Sequence, residues 1–434
     1  MSTEAEPCTH VDEVTVVDLS DSSTETGTSD SPDLKHPAIP KWLIRERKGW
    51  RWAVQNFTPA WFASNMGTGI VATLLYTFSN MYPPNRTVFF SLSMAFFIIN
   101  VVLFCLYFAI SVLRYSLYPA TWKLTFHHPL ESLFIGTVPM GFAGIINMFT
   151  LACVSRWGGA SVQVAWGLWF IDSILSLACC FGIPFLMMTK HTHRHETMTA
   201  VWFLPIVSPI VASATGALVA DALTNPQHAL WTITISYILW GTSVPLSFIA
   251  MTIYFYRLAV HNLPAHSATV SVFLPIGSMG LGGFAILKLG RVAMEVFPQT
   301  GTLHPNGGEI LHVIGFGFAL IMWGFGLVWL VFAICSIVNR RRFPFNIGWW
   351  GFTFPVGVFA TATLLFGEEM PSTFFRVMGT ILSVCVMLIW IVVAYKTVKD
   401  VLFRRALFDS PSLREFEKEC EMKEEEGEKE QQDV

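Results

Sequence analysis

The side chains that could bind or move a charged species in this sequence are few and widely spaced. Three histidines alternate at His191, His193 and His195 within KHTHRHET, residues 190–197. Alternate positions converge only on an extended strand, and no carboxylate frames them, so the stretch reads as a solvated loop rather than a zinc site. Asp172 stands alone in the apolar run WGLWFIDSILSL. A buried acid in such a run marks a functional site unless a donor between helices satisfies it; the latter reading, a structural pairing, is favoured here. The sequence has no Ser/His/Asp order, phosphate-binding glycine loop or dinucleotide fingerprint, so neither an enzyme nor an ATP-driven pump is supported. No cofactor, metal or nucleic-acid partner is expected. What remains is a set of neutral donors, Ser64, Asn65, Thr68, Thr137, Asn147, Ser208, Ser213, Thr215, Ser278 and Thr353, with Lys288 and Arg291 at one end. Neutral donors hold an ion without trapping it, as conduction requires, and the two cations are expected to attract an anion.

These groups sit in a chain built for lipid. Of its 434 residues, 53% are hydrophobic and 13% charged, with 37 Phe and 16 Trp. A bilayer crossing needs about 20 apolar residues. Such runs recur at roughly 58–78, 87–112, 132–153, 161–189, 200–221, 229–256, 268–289, 309–337, 347–366 and 373–396, which predicts an all-α integral membrane protein of about ten helices over residues 50–400. Residues 1–49 are expected to form a disordered cytosolic tail and residues 401–434 a charged cytosolic one. Lys and Arg crowd the loops on one side, as at Arg114, Lys190, Arg257 and Arg340, while the other side holds Arg86, Arg156, Arg291 and Arg376. Both termini are therefore expected in the cytosol. The sequon at Asn85 then falls in the first external loop as a candidate glycosylation site.

Proline recurs in the odd-numbered runs at Pro59, Pro139, Pro205, Pro275 and Pro355, once per helical hairpin. A proline inside a helix removes a donor and costs about 3 kcal/mol. Lipid does not tolerate the freed carbonyl, whereas protein or water does. The odd helices, rich in Gly, Ala, Ser and Thr besides, should thus lie inside and line a central pore, with the bulky even helices outside. Five hairpins around one axis is the fold these positions predict.

Four segments carry a family likeness: NFTPAWFASNMGTGI (56–70), HHPLESLFIGTVPMG (127–141), FLPIGSMGLGGFAILKLG (273–290) and GWWGFTFPVGV followed by FRVMGTI (348–358 and 375–381). Over residues 50–400 the chain resembles the tellurite-resistance and dicarboxylate transporter family, which includes plant slow anion channels, fungal malic acid permeases and fungal sulfite efflux pumps. The resemblance implies a ring of five hairpins and a homotrimer in which each subunit has its own pore. It implies that Phe354, in the Thr353-Phe354-Pro355 element, blocks that pore, an apolar ring at a narrowing being able to gate by dewetting. The segments are closer to the sulfite efflux branch, which implies a plasma-membrane exporter of sulfite. A proton-linked malate or C4-dicarboxylate transporter and a gated anion channel are the alternatives.

Overall fold

The computed structural model describes residue 40 and residues 42–44, 49–341, 343–403 and 406–432. The disordered tail expected over residues 1–49 lies outside the described residues except for its last few. Among the described residues there is no strand. The chain runs through α1 (Phe62–Met81), α2 (Arg86–Leu117), α3 (Thr137–Met148), α4 (Ala160–Thr189), α5 (Phe203–Ala222), α6 (Pro226–His261), α7 (Leu274–Thr300), α8 (Gly307–Arg340), α9 (Thr353–Glu369) and α10 (Thr373–Phe403), and then α11 (Pro411–Gln432).

Nine of the described helical segments are long and apolar enough to cross a membrane. α1 is not among the nine; its 20 residues include Ser64, Asn65, Thr68, Thr73, Thr77 and Ser79, and it packs along α2 as the other members of the hairpins do. Most of α1 is buried by protein, so it needs no lipid-facing stripe and its polarity is tolerated.

Consecutive helices pair as hairpins, and the odd members close a ring in which α1 touches α3, α3 touches α5, α5 touches α7, α7 touches α9 and α9 returns to α1. Burial divides the two sets. In the segments Ala200–Ala222 and His266–Thr300, 94% and 89% of the apolar stretch is buried, against 17% in Pro83–Leu117. The even helices turn side chains such as Ile98, Phe181 and Leu388 outward. Small residues let the inner helices meet: a Cβ on Gly136 would stand 2.6 Å from the carbonyl oxygen of Leu204, and one on Gly357 2.6 Å from Ile70. The space beside Gly357 is thus taken by α1.

The prolines have a different role from the one expected. Each inner helix is preceded by a 3₁₀ turn: Pro59–Trp61, Ser132–Gly136, Ala200–Trp202, His266–Phe273 and Ile347–Phe352. Pro139, Pro205, Pro275 and Pro355 occupy the first turn of the α-helix that follows, and Pro59 opens its 3₁₀ turn. First-turn amides have no partner within the α-helix, so proline there breaks nothing and presets the backbone angle. The repeat is thus a repeated 3₁₀-to-α junction. Pro209 inside α5 and Pro298 near the end of α7 are the inner-helix prolines that do remove a donor from a helix interior.

Candidate functional site

The five junctions converge on one cavity of about 330 Å³ at the end where the inner helices begin, here the near end. Ala63, Thr137, Leu204, Leu274 and Phe354 contribute one wall each from α1, α3, α5, α7 and α9. Deeper along the same axis lies a chamber of about 50 Å³, walled by Ile70, Asn147, Val211, Leu281 and Val358 from the same five helices. Met66, Met140 and Phe354 line both spaces, so these three side chains form the partition between them.

Of the residues expected to line a pore, Thr137, Phe354 and Pro355 face the near cavity. Thr68, Pro139, Pro205, Ser208, Pro275, Ser278 and Thr353 line neither cavity. Their hydroxyls explain why. Thr68 donates to the Ser64 carbonyl at 2.8 Å and accepts from the Trp390 indole at 3.1 Å, which ties α1 to α10. Ser208 donates to Gly136 O at 3.0 Å and Thr353 to Trp350 O at 2.8 Å. In a helix the fourth carbonyl back is always within reach of a Ser or Thr, and a buried hydroxyl takes that partner. The Ser278 hydroxyl is the exception, buried without a partner among the described residues. Thr137 also spends its hydrogen on backbone, at 2.9 Å from Pro59 O.

The near end carries a buried charge cluster that sequence reading did not assemble. Glu131, in the cavity wall, pairs with Arg114 at 3.1 Å, and each side chain is 1% exposed. Its other oxygen receives the hydroxyls of Ser410 at 2.9 Å and Ser412 at 2.7 Å, and the Ser412 amide at 3.2 Å. Burial alone would raise the Glu131 carboxyl, but the Arg114 charge and the serine hydrogen bonds outweigh it and hold the carboxyl below its usual value. The segment expected to be a free charged tail is therefore docked at its start. Leu407 is buried with Phe57, Trp61 and Tyr107, the Phe408 ring lies 5.0 Å from Trp61, and Leu407 and Pro411 line the near cavity. No local signal in residues 401–434 points to this; the apolar pair Leu407-Phe408 is its trace.

At the far end the expected positive bias is compensated. Lys288 bonds to Asp221 at 2.8 Å, and Glu369 lies 3.4 Å from both Arg291 and His312. Asp221 and Lys288 stand one turn beyond the chamber residues Leu218 and Phe284. Their carboxylate partners are 67 and 78 residues away in sequence, which hid them. Asp172 is fully buried and neither oxygen has a partner among the described residues, contrary to the structural pairing expected. The His191 and His193 rings meet edge to face at 5.5 Å, His191 also reaching the Phe126 carbonyl at 2.9 Å and His193 the Trp202 ring, while His195 turns away to Tyr256. Asn85 is exposed where α2 begins.

Residues 56–398 match the family profile described as voltage-dependent anion channel, SLAC1. The chain is 48% identical to the sulfite efflux pump SSU1 of Arthroderma benhamiae over 83% of this chain and 96% of that protein, and equally to that of Trichophyton rubrum. It is 26% identical to the malic acid transport protein of Schizosaccharomyces pombe over 80% of this chain and 79% of that one. With a closed ring of five inner helices and a matched region covering most of its length, the chain belongs to the SLAC1 family of anion channels and transporters.

Proposed function

We propose that the chain exports sulfite across the plasma membrane, with the near end and both termini in the cytosol. The observation that carries this reading is the pair of cavities on the ring axis, divided by Phe354, Met66 and Met140. The anion enters the near cavity, passes Phe354 and leaves through the far chamber. A water-sized group needs about 10–15 Å³ of such space. The chamber of about 50 Å³ therefore suits an ion of four heavy atoms such as sulfite and is cramped for a C4 dicarboxylate. No ionisable side chain lines the chamber, which agrees with an anion that moves by shedding water against neutral walls. The relatives named for sulfite efflux, matched over 96% of their length, support the same substrate.

Phe354 is the gate in this reading, its apolar ring excluding water and ion until it swings aside. Thr137 and Pro355 shape the entrance, while Thr68, Ser208, Ser278 and Thr353 support the wall from behind. Lys288 and Arg291 meet the anion as their carboxylate partners release them. The outward even helices face lipid and, in a homotrimer, neighbouring copies; mass photometry of the detergent-solubilised protein tests that assembly. Proteoliposomes loaded in parallel with sulfite, nitrate, chloride or malate test the substrate. Sulfite efflux is expected to be fastest, and malate flux without sulfite flux would overturn the reading.

A further inference from the structure

We infer that Asn147 is an oxyanion-binding residue on the far side of Phe354, the donor of a small dwell site inside the chamber. The inference rests on the proposed passage of a small oxyanion through that chamber. Three polar side chains line the space, Thr73, Asn147 and Thr361. Thr73 gives its hydroxyl hydrogen to Gly69 O at 3.1 Å and Thr361 gives its own to Gly357 O at 3.0 Å. Both threonines are thus committed as donors and turn only lone pairs inward, which an anion does not want. Asn147 is not committed. Its Oδ1 is buried without a partner among the described residues, and its amide edge is left for the chamber.

A buried amide oxygen without a partner is costly and rare enough to need a reason. Here the reason is orientation. With Oδ1 turned into the wall, the two N–H donors of Nδ2 point at the space an ion would cross. The backbone next to it is also unusual. A π-helical turn, Phe149–Val154, begins two residues after Asn147, and the Tyr76 hydroxyl donates to the displaced Leu151 carbonyl at 2.8 Å. Such turns gather at functional sites because they re-aim a side chain within an otherwise regular helix. A neutral amide binds sulfite or bisulfite through its oxygens, without the ion pair that would hold it too long.

The test is sulfite efflux from proteoliposomes at graded internal sulfite, read as half-saturating concentration and as selectivity over chloride. Losing a hydrogen bond to a charged group is expected to raise the half-saturating concentration of Asn147→Ala about tenfold. Asn147→Asp keeps the size and shape of the side chain, so it serves even where alanine loosens the helix; replacing a donor by an acceptor is expected to abolish saturable sulfite efflux. Asn147→Ser, which restores a hydroxyl donor, is expected to recover part of the affinity lost in alanine. Wild-type half-saturation and selectivity in both Asn147→Ala and Asn147→Asp would overturn the subsite and leave sulfite export standing. Absence of sulfite flux from the wild type would instead overturn the exporter and the subsite with it.

Discussion

The two ends of the path are closed by different means. At the near end Arg114 and Glu131 are each 1% exposed and are locked by a returning chain segment. At the far end each pair has one open member: Asp221 and Arg291 are each 44% exposed, against 13% for Lys288 and 15% for Glu369. A buried pair resists salt but cannot lose one member, whereas an exposed pair is expendable. The near end is therefore a fixed architectural joint, and the far end a rim whose pairs are weaker and more readily opened.

The largest effect is expected at the near end. Arg114→Ala strands the Glu131 carboxylate beside Ser410 and Ser412, a change that costs about 3–5 kcal/mol for a buried pair. Limited proteolysis should then cut near residues 406–412 at a concentration of protease that leaves the wild type intact. Protection as strong as in the wild type would dissolve the contrast between the ends.

Ser412→Ala should act in the same place and less strongly. A hydrogen bond to a charged group is worth about 1.5–3 kcal/mol, and hydrogen exchange over residues 406–416 reports its loss. Acid gives a related result. The Glu131 carboxyl is held below its usual value of about 4.3, so its contribution is fully present above that value and is lost as pH falls through the lowered one. The protection factor over the same segment, with the intrinsic pH dependence of exchange divided out, should be flat from pH 8 to 5 and fall only under stronger acid.

The smallest effect is expected at the far end. Lys288→Ala or Arg291→Ala removes a partly exposed pair worth about 0.2–1 kcal/mol, so melting temperature should hardly move. Raising salt to 1 M, where the Debye length is about 3 Å, should mimic either substitution in sulfite flux while leaving the docking of residues 406–412 unchanged.

How far this was legible in the sequence depends on the range of the interaction. The inner and outer roles of the helices follow from local composition, because a helix facing lipid must be bulky and apolar while one facing protein can carry Ser64, Asn65 and Thr68. The prolines pointed to the correct helices for an incorrect reason: their register against the helix start, which decides whether Pro355 breaks or begins α9, depends on where the 3₁₀ turn ends. Hydroxyl chemistry was misjudged at Ser208 and Thr353, since composition cannot say that a hydrogen is already spent on a carbonyl. Lys288 with Asp221, and Glu131 with Ser410 and Ser412, are pairs between distant segments, invisible until the helices are set side by side. Asn147 was visible as one donor among several, and what singles it out is its place in the chamber wall together with an Oδ1 that has no partner among the described residues.

One partition divides the two cavities, and Phe354 is the aromatic ring in it. Initial sulfite efflux from proteoliposomes should be measured for the wild type and Phe354→Ala at equal protein density. Joining the near cavity to the far chamber should raise the rate at least tenfold, the effect of lowering a barrier by about 1.4 kcal/mol. A rate unchanged from the wild type, in a variant that elutes as the wild type does, would contradict a path that runs past Phe354.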